Sequence, residues 1–496
     1  MKKNIAYILS AIVLLASIVA IWFLLPIGSL YYSFPIFLIA TLFLIMRVFF
    51  PEILNKLSIP TKMGGGRTIF LFCLSIVIIS LLVKFFIFSY FDYSPISDPG
   101  RFFMASQAIA DGAGIKNSVS FALFPFQAAY ANSLSIVMKI ITNDWLAVII
   151  LNSIFDILSA IIAFRFVRDI TSPNSIAPLV AFTFWILSPF NLLYSTISLP
   201  LIAVNFFIIT TVYIAYLMVK EIQKKNIKKL LAYSVAFGMV AGIGNCFRPV
   251  FIIFLIALPM YLLYITIANK DNKKFIATMS GTTLLIIFCL FFTIQILNTS
   301  LVSYQTGLTA ARNAGGWSIY VGANYKSHGG YNIWDDQFLG ELLKEYVPKD
   351  NLPALHTRLS KEGIERYKQY GLIKSFNLFR LKLYRFASNQ GSINNIKTSI
   401  VGYRDSSLAK LFNLYILVFT ASLFATSAYY LYTQARAALS NSKQFKPIIL
   451  FVSLIILGFF SSSMLVEVSN RYAQIMYPLF IIVGSLLIES RKEKDL

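Results

Sequence analysis

The chain has 496 residues, of which 57% are hydrophobic, 16% aromatic and only 13% charged, with a mean hydropathy of +0.72. Soluble globular domains carry charge on roughly a quarter of their residues, so this composition excludes a soluble enzyme, a disordered chain and a fibrous repeat, and leaves a polytopic membrane protein. The 43 Lys and Arg against 21 Asp and Glu give a net charge of +22; in a soluble protein that would point to nucleic acid, but here it is read as topological signal, with no nucleic-acid partner.

In chain order, Met1-Lys2-Lys3 and the apolar run to Leu25 have the look of a secretory signal without an A-x-A site, and are read as a retained first span. Twelve apolar segments are long enough to cross about 30 Å of hydrocarbon: residues 5–25, 30–50, 69–91, 145–164, 175–193, 195–219, 231–247, 249–269, 275–297, 410–433, 447–466 and 473–489. Residues 119–140 compete as a further span. The basic connections at Arg47/Lys56/Lys62/Arg67, Arg165/Arg168, Lys220 to Lys229, Lys270/Lys273/Lys274, Arg436/Lys443/Lys446 and Arg491/Lys492/Lys494 share one side only if 119–140 does not cross.

That segment is therefore expected to lie in the outer interface, with both termini cytoplasmic. The organisation predicted is N-terminal spans over 1–91, a first outer loop over 92–144, a central bundle over 145–297, an extracytoplasmic domain over 298–409, and C-terminal spans with a cytoplasmic tail over 410–496. The outer domain is turn-rich at Gly315-Gly316, Gly322 and Gly329-Gly330 and helix-like over 335–346 and 352–387. No internal repeat stands out, which weakens an inverted-repeat transporter.

In the first loop, Pro95 and Pro99 flank Asp98, which opens a helical stretch with Phe102, Ala105 and Ile109 on one face. Asp98 reads either as a helix N-cap or as a carboxylate at the bilayer edge that takes a proton from an acceptor hydroxyl. Arg101, Arg248 and Arg471 are arginines on the outer side close to span ends, able to hold a lipid phosphate, or else snorkelling helix-end residues. Asp156, mid-span with Asn152 one turn before it, reads as a structural partner of Lys84 or an amide, or as a catalytic group. Trp317, Tyr320, Tyr331 and Trp334 could stack on sugars or form an aromatic belt, and His328 reads as a surface histidine. Cys73, Cys246 and Cys289 sit in apolar runs without metal or disulfide spacing.

The order of these features resembles the GT-C fold of polyprenyl-phosphate-sugar-dependent glycosyltransferases, in particular the protein-O-mannosyltransferase-like and aminoarabinose-transferase-like branch. The likeness rests on Asp98 with Phe102 and Asp111-Gly112; on Leu123-Phe124-Pro125-Phe126-Gln127; on Arg248-Pro249; on Gly315-Gly316-Trp317-Ser318-Ile319-Tyr320-Val321-Gly322-Ala323-Asn324 through Gly329-Gly330-Tyr331-Asn332; and on Glu467 with Asn470-Arg471-Tyr472 and Pro478. The chain departs from the pattern in having Pro99, not a second acid, after Asp98. For a further carboxylate the loop offers only Asp111 and Asp144.

The resemblance implies an all-α membrane fold with a small extracytoplasmic domain, and an inverting transfer. Asp98 would be the base, with Arg248, Arg471 and Arg101 on the donor phosphate and Trp317, Tyr320, Asn324 and Tyr472 around substrate. It implies a polyprenyl-phosphate-linked sugar and an extracytoplasmic acceptor as partners. Low Ala with high Ile, Lys, Asn and Phe suggests an AT-rich bacterial genome, hence undecaprenyl phosphate and an envelope acceptor. No acidic cluster calls for a divalent ion. The rival expectation is a lipid-linked sugar flippase using Asp156, Lys84 and Asn152; a lipid-linked polymer ligase differs chiefly in donor size.

Overall fold

The computed structural model describes residues 8, 10–18, 66–93, 97–387 apart from 174, 270, 271 and 313, 400–401, and 407–489 apart from 441 and 443. The expected span at 30–50 and most of that at 5–25 lie outside these residues. The described chain is a helical bundle built from α1 (Gly66–Tyr90), α2 (Ser97–Ala110), α3 (Val119–Leu123), α4 (Phe126–Ile140), α5 (Leu146–Ile170), α6 (Ala177–Ile186), α7 (Pro189–Tyr194), α8 (Leu201–Gln223), α9 (Ile227–Phe247), α10 (Ile252–Ala268) and α11 (Lys273–Thr306). A polar domain follows with α12 (Gly315–Gly322), α13 (Ile333–Tyr346) and α14 (Leu352–Ala387), and the chain ends with α15 (Ser407–Leu439), α16 (Pro447–Leu465), a 3-10 turn (Asn470–Met476) and α17 (Tyr477–Leu486). A two-residue antiparallel ladder pairs Asp92–Tyr93 with Ile400–Val401.

Among the described residues eight helices are long and apolar enough to cross a membrane, and a ninth, Ile252–Ala268, is one residue short of that length. The protein is thus a polytopic membrane protein. Residues 119–140 split at Phe124-Pro125 into α3 and the 15-residue α4; α4, at about 22 Å, is too short to span. Residues 473–489 also differ from a simple span, being part of a 3-10 turn plus a ten-residue helix. The segment at 175–193 breaks where Pro189 removes a backbone donor, and α11 runs unbroken past 297 to Thr306, ending on Gly307 at φ 70°.

Lipid-facing and core-facing helices separate by composition. On α1, Phe70, Leu71, Leu74, Ile78, Ile79, Leu82, Phe85 and Phe86 are all exposed, as expected of a helix whose neighbour is hydrocarbon. By contrast α8 presents Ile202, Val204, Ile208, Ile209, Val212 and Ala215 to the packed interior. Gly238 and Gly242 let α9 approach α11 closely: a Cβ at Gly242 would stand 2.8 Å from Ile294.

Among the described residues, the basic connections at Arg165 and Lys446 share one end of the bundle. Lys446 pairs with Glu489 at 2.6 Å and donates to the Ile170 carbonyl at 2.6 Å, while Arg165 and Tyr213 meet Asp169. At the other end of α5, about 37 Å away for 25 residues, Trp145 packs tilted against Phe103 of α2 and donates to the Thr196 carbonyl at 2.8 Å.

The mid-span acid has the structural partner expected for it. Asp156 Oδ2 pairs with Lys84 Nζ at 2.6 Å, with the two side chains 0% and 1% exposed, and Asp156 Oδ1 accepts from Asn191 at 2.9 Å. Asn152 accepts from the Tyr130 hydroxyl and donates to the Ser195 and Ile197 carbonyls. The network ties α1 and α5 to the broken segment around α7. Because one unpaired buried charge is worse than none, Lys84→Met should destabilise the protein by about 3–5 kcal/mol, and Lys84→Met with Asp156→Asn should recover most of that. Thermal unfolding of the purified variants checks it; equal melting points for the single and double variants would count against the pair.

Candidate active site

Three interruptions of helix build a charged cluster at the end of the bundle away from Arg165 and Lys446. Pro249 disfavours helical backbone at the residue before it, so α9 stops at Phe247 and Arg248 is extended, at φ −160° and ψ 131°. Ser97 takes φ 60°, and α2 starts so that Asp98 falls in its first turn, where the free N–H groups favour a carboxylate. The third interruption follows α16, where Val466 is extended and the 3-10 turn then presents Arg471 and Tyr472.

These pieces converge. Arg471 Nη2 donates to Asp98 Oδ2 at 2.8 Å, and Arg101 approaches the other oxygen at 3.9 Å. Arg101 also donates to Ser120 Oγ at 2.8 Å, tying α2 to the start of α3. The Arg248 guanidinium lies over the Tyr472 ring, 4.0 Å from its centre, and among the described residues it has no carboxylate within ion-pair distance. Asp98 remains one-third exposed.

The electrostatics divide the two acids of the cluster. Burial works to push the Asp98 carboxyl up, but Arg471, Arg101 and Arg248 together outweigh it and hold it below its ordinary value. For Glu467 burial wins: its carboxyl stands above its ordinary value although Arg471 and Arg248 pull it down. Burial likewise disfavours the charge on Arg248 and lowers it. Two carboxylates with opposite shifts beside cations are a recurrent feature of acid–base sites.

The polar domain closes against this cluster through backbone. Glu467 N donates to the Ser318 carbonyl at 2.6 Å and Val468 N to the Gly329 carbonyl at 2.8 Å. A Cβ on Gly322 would lie 2.4 Å from the Val466 carbonyl carbon, and one on Gly316 would lie 2.1 Å from the His356 carbonyl oxygen. The glycines of this loop thus mark close backbone approach.

Of the residues expected at the site, the structure brings together Asp98, Arg101, Arg248, Arg471 and Tyr472. Trp317 and Tyr320 lie elsewhere: 7% and 4% exposed, they pack in the core of the polar domain with Val321, Leu339 and Leu355, and Arg366 covers the Tyr320 ring at 3.6 Å. Asn324 shapes its own turn, accepting from Lys326 N and Ser327 N and donating to Asp335. Asp111 accepts from Asn143, and Asp144 caps α5 at Leu146 N; Asp111 follows the far end of α2, about 20 Å along the helix from Asp98.

The second carboxylate of the cluster is instead Glu467, which sequence reasoning noted only as part of a motif; its spacing of four from Arg471 was the available signal. Tyr331, half-exposed, feels the charges of Asp98 and Arg101, whereas Trp334 is exposed on α13. His328 is exposed, at φ 52°. The cysteines are unpaired, and among the described residues no three His, Cys, Asp or Glu side chains converge as a metal site.

Because Gly322 has no room for a side chain, Gly322→Ala should shift the 464–468 segment and loosen the amide bonds of Glu467 and Val468. Hydrogen exchange is expected to rise there and stay unchanged in α5; protection equal to wild type would show that the contact yields without cost. In comparison with known proteins, no protein-family model matches the chain, and no curated protein matches it either.

Proposed function

We propose that this chain is an integral-membrane, GT-C-like inverting glycosyltransferase that moves a sugar from a polyprenyl-phosphate donor, undecaprenyl phosphate in a bacterium, to a hydroxyl of an extracytoplasmic acceptor such as a cell-wall polymer, glycan, lipid or protein. The reading sets the basic end of the bundle and both termini in the cytoplasm and the Asp98 cluster on the outer face. The observation that supports it most is the meeting of one carboxylate with two guanidiniums, from α2 and the 3-10 turn, beside a third, Arg248 of the α9–α10 step, that lies on Tyr472 without a carboxylate partner among the described residues.

In this reading the acceptor hydroxyl gives its proton to the Asp98 carboxylate as its oxygen attacks the anomeric carbon from the face opposite the phosphate. The carbon–oxygen bond to phosphate breaks and the electron pair leaves with the phosphate oxygen. A donor phosphodiester with one negative charge becomes a polyprenyl monophosphate with a second, and Arg248, helped by Arg471 and Arg101, stabilises the added charge. The phosphate competes with Asp98 for Arg471; once that guanidinium turns to phosphate, burial acts on Asp98 with less opposition and makes it a stronger base.

The flippase alternative draws no comparable support. Its polar path would run through Asp156, Lys84 and Asn152, which are fully buried and hydrogen-bonded to one another's surroundings.

Two measurements test the proposal. Protein in nanodiscs, supplied with a panel of polyprenyl-phosphate sugars, should release free polyprenyl phosphate; Asp98→Asn should lower turnover by at least about 100-fold, the low end for a lost general base, and Arg248→Ala should also lower it. Full turnover by Asp98→Asn would exclude the base role. The pH profile should show the acid limb of kcat/KM, which reports free enzyme, below the ordinary carboxylate range, and that of kcat, which reports the complex, at higher pH. Coincident limbs would mean that Arg471 keeps its partner throughout.

A further inference from the structure

Lys382, on the second arm of α14, is 0% exposed, and nothing in the transfer mechanism uses it. An ammonium taken out of water costs several kcal/mol unless its donors are matched. Here all three are. Nζ donates to the Met464 carbonyl at 2.6 Å, the Gly322 carbonyl at 3.0 Å and the Tyr367 hydroxyl at 3.1 Å, the full donor complement of a lysine.

The acceptors explain why a cation stands at this point. Met464 lies in the last turn of α16, a span, and Gly322 is the last residue of α12 in the polar domain. Carbonyls at helix C-termini lack intrahelical partners and carry the negative end of the helix dipole. Lys382 therefore joins the C-terminal ends of two helices, one from each part of the protein. The Tyr367 hydroxyl lies within 3.2 Å of the same two carbonyls. That requires α14 to fold back on itself, which it does at Gly371 (φ 64°), bringing the Tyr367 and Phe379 rings to 6.0 Å. Gly329 leaves room for the stem: a Cβ there would stand 2.7 Å from Lys382 Cδ.

The chain leaving Met464 leads directly into the candidate active site, through Glu467 N and Val468 N on the polar-domain loop to Arg471 on Asp98. In front, Arg471 is held less firmly: among the described residues its buried Nε finds no hydrogen-bond partner, and Asp98 is shared with Arg101.

We infer that Lys382 is a positioning residue for the phosphate-binding arginines: by pinning the C-terminal ends of α12 and α16 together it sets where Arg471 meets Asp98 and where Tyr472 supports Arg248. The phosphate role of those arginines rests on the transferase reading; the pin itself does not.

The pin has a pH signature. Burial lowers the Lys382 ammonium from 10.5 to about 7, with Glu467 on the neighbouring segment opposing the shift; Tyr367 on the first arm and Arg385 one turn along are the other ionisable groups close by. Above about 7 the ammonium loses a proton, hence a donor, and the pin weakens. The same group makes folding more favourable as pH rises from about 7 to 10.5, because there the unfolded chain binds the proton that the folded one does not.

The test uses the full chain in nanodiscs, comparing wild type with Lys382→Met, Lys382→Arg and the milder Tyr367→Phe, which keeps the charge and remains informative should Lys382→Met fail to fold. Hydrogen exchange at the Glu467 and Val468 amides should accelerate by at least about tenfold in Lys382→Met, the worth of one charge-assisted hydrogen bond, with α5 unaffected, less in Tyr367→Phe, and least in Lys382→Arg. KM for the polyprenyl-phosphate sugar that wild type uses should rise by a similar factor, and the alkaline limb near pH 7 should vanish in Lys382→Met. Unchanged exchange at both amides would overturn the inference, as would a raised KM without altered exchange, which would make Lys382 a substrate contact. Should wild type use no donor, the transferase reading fails and the exchange data alone decide the pin.

Discussion

Asp98 and Arg471 are 373 positions apart and meet at 2.8 Å. An ion pair at the end of an apolar bundle holds only if both backbones are fixed, because long side chains searching for each other in water gain little from pairing. Most of the architecture at that end supplies this fixing. Ser97 in a left-handed conformation starts α2 so that Asp98 sits in its first turn, the Arg101–Ser120 bond ties α2 to α3, and the glycine loop of the polar domain grips the chain just before Arg471.

This arrangement links the two parts of the protein. The polar domain has a core around Leu342, Leu352, Leu355 and Leu359 that takes in Ala122 and Leu123 of α3, and hydrogen bonds at fixed main-chain positions join it to the rest: Ala311 N to the Ala122 carbonyl, the pair at Glu467 and Val468, and Lys382 and Tyr367 on the Met464 carbonyl. His356 adds one from its ring to the Leu123 carbonyl at 2.9 Å. Such bonds tolerate little displacement, so the junction transmits position. Charge alternates across it, from Lys382 through Glu467 to Arg471 and Arg248 and on to Asp98, which keeps each buried ion near an opposite one without neutralising the cluster.

Separating the charges by depth is the other organising choice. The mid-span ions are paired and sealed, as hydrocarbon requires: Lys84 and Asp156 satisfy each other and Asn191 completes the carboxylate. The span-end ions are only partly covered, and Arg248 rests on an aromatic face. Solvent reaches the ions at the second place and not those at the first.

The sequence by itself determined what depends on short-range physics. Apolar runs set the spans, since each residue's partition into hydrocarbon is a local property. Pro125 broke the 119–140 segment and Pro249 ended α9, because a proline ring restricts its own neighbours; Asp98 opened a helix for the same local reason. Tertiary structure alone decided the rest. Whether an aromatic in the glycine loop faces substrate or core depended on α13 and α14 packing over Trp317 and Tyr320, and whether Glu467, Asp111 or Asp144 joined Asp98 depended on which distant segment the polar domain pressed into place. Lys382 gave no sign in sequence, standing among Arg380 and Arg385 in a basic stretch. Its burial follows from the fold at Gly371 and from two helix ends that meet only in the assembled protein, and the energy of a buried charge is set by that surrounding and not by the residue type.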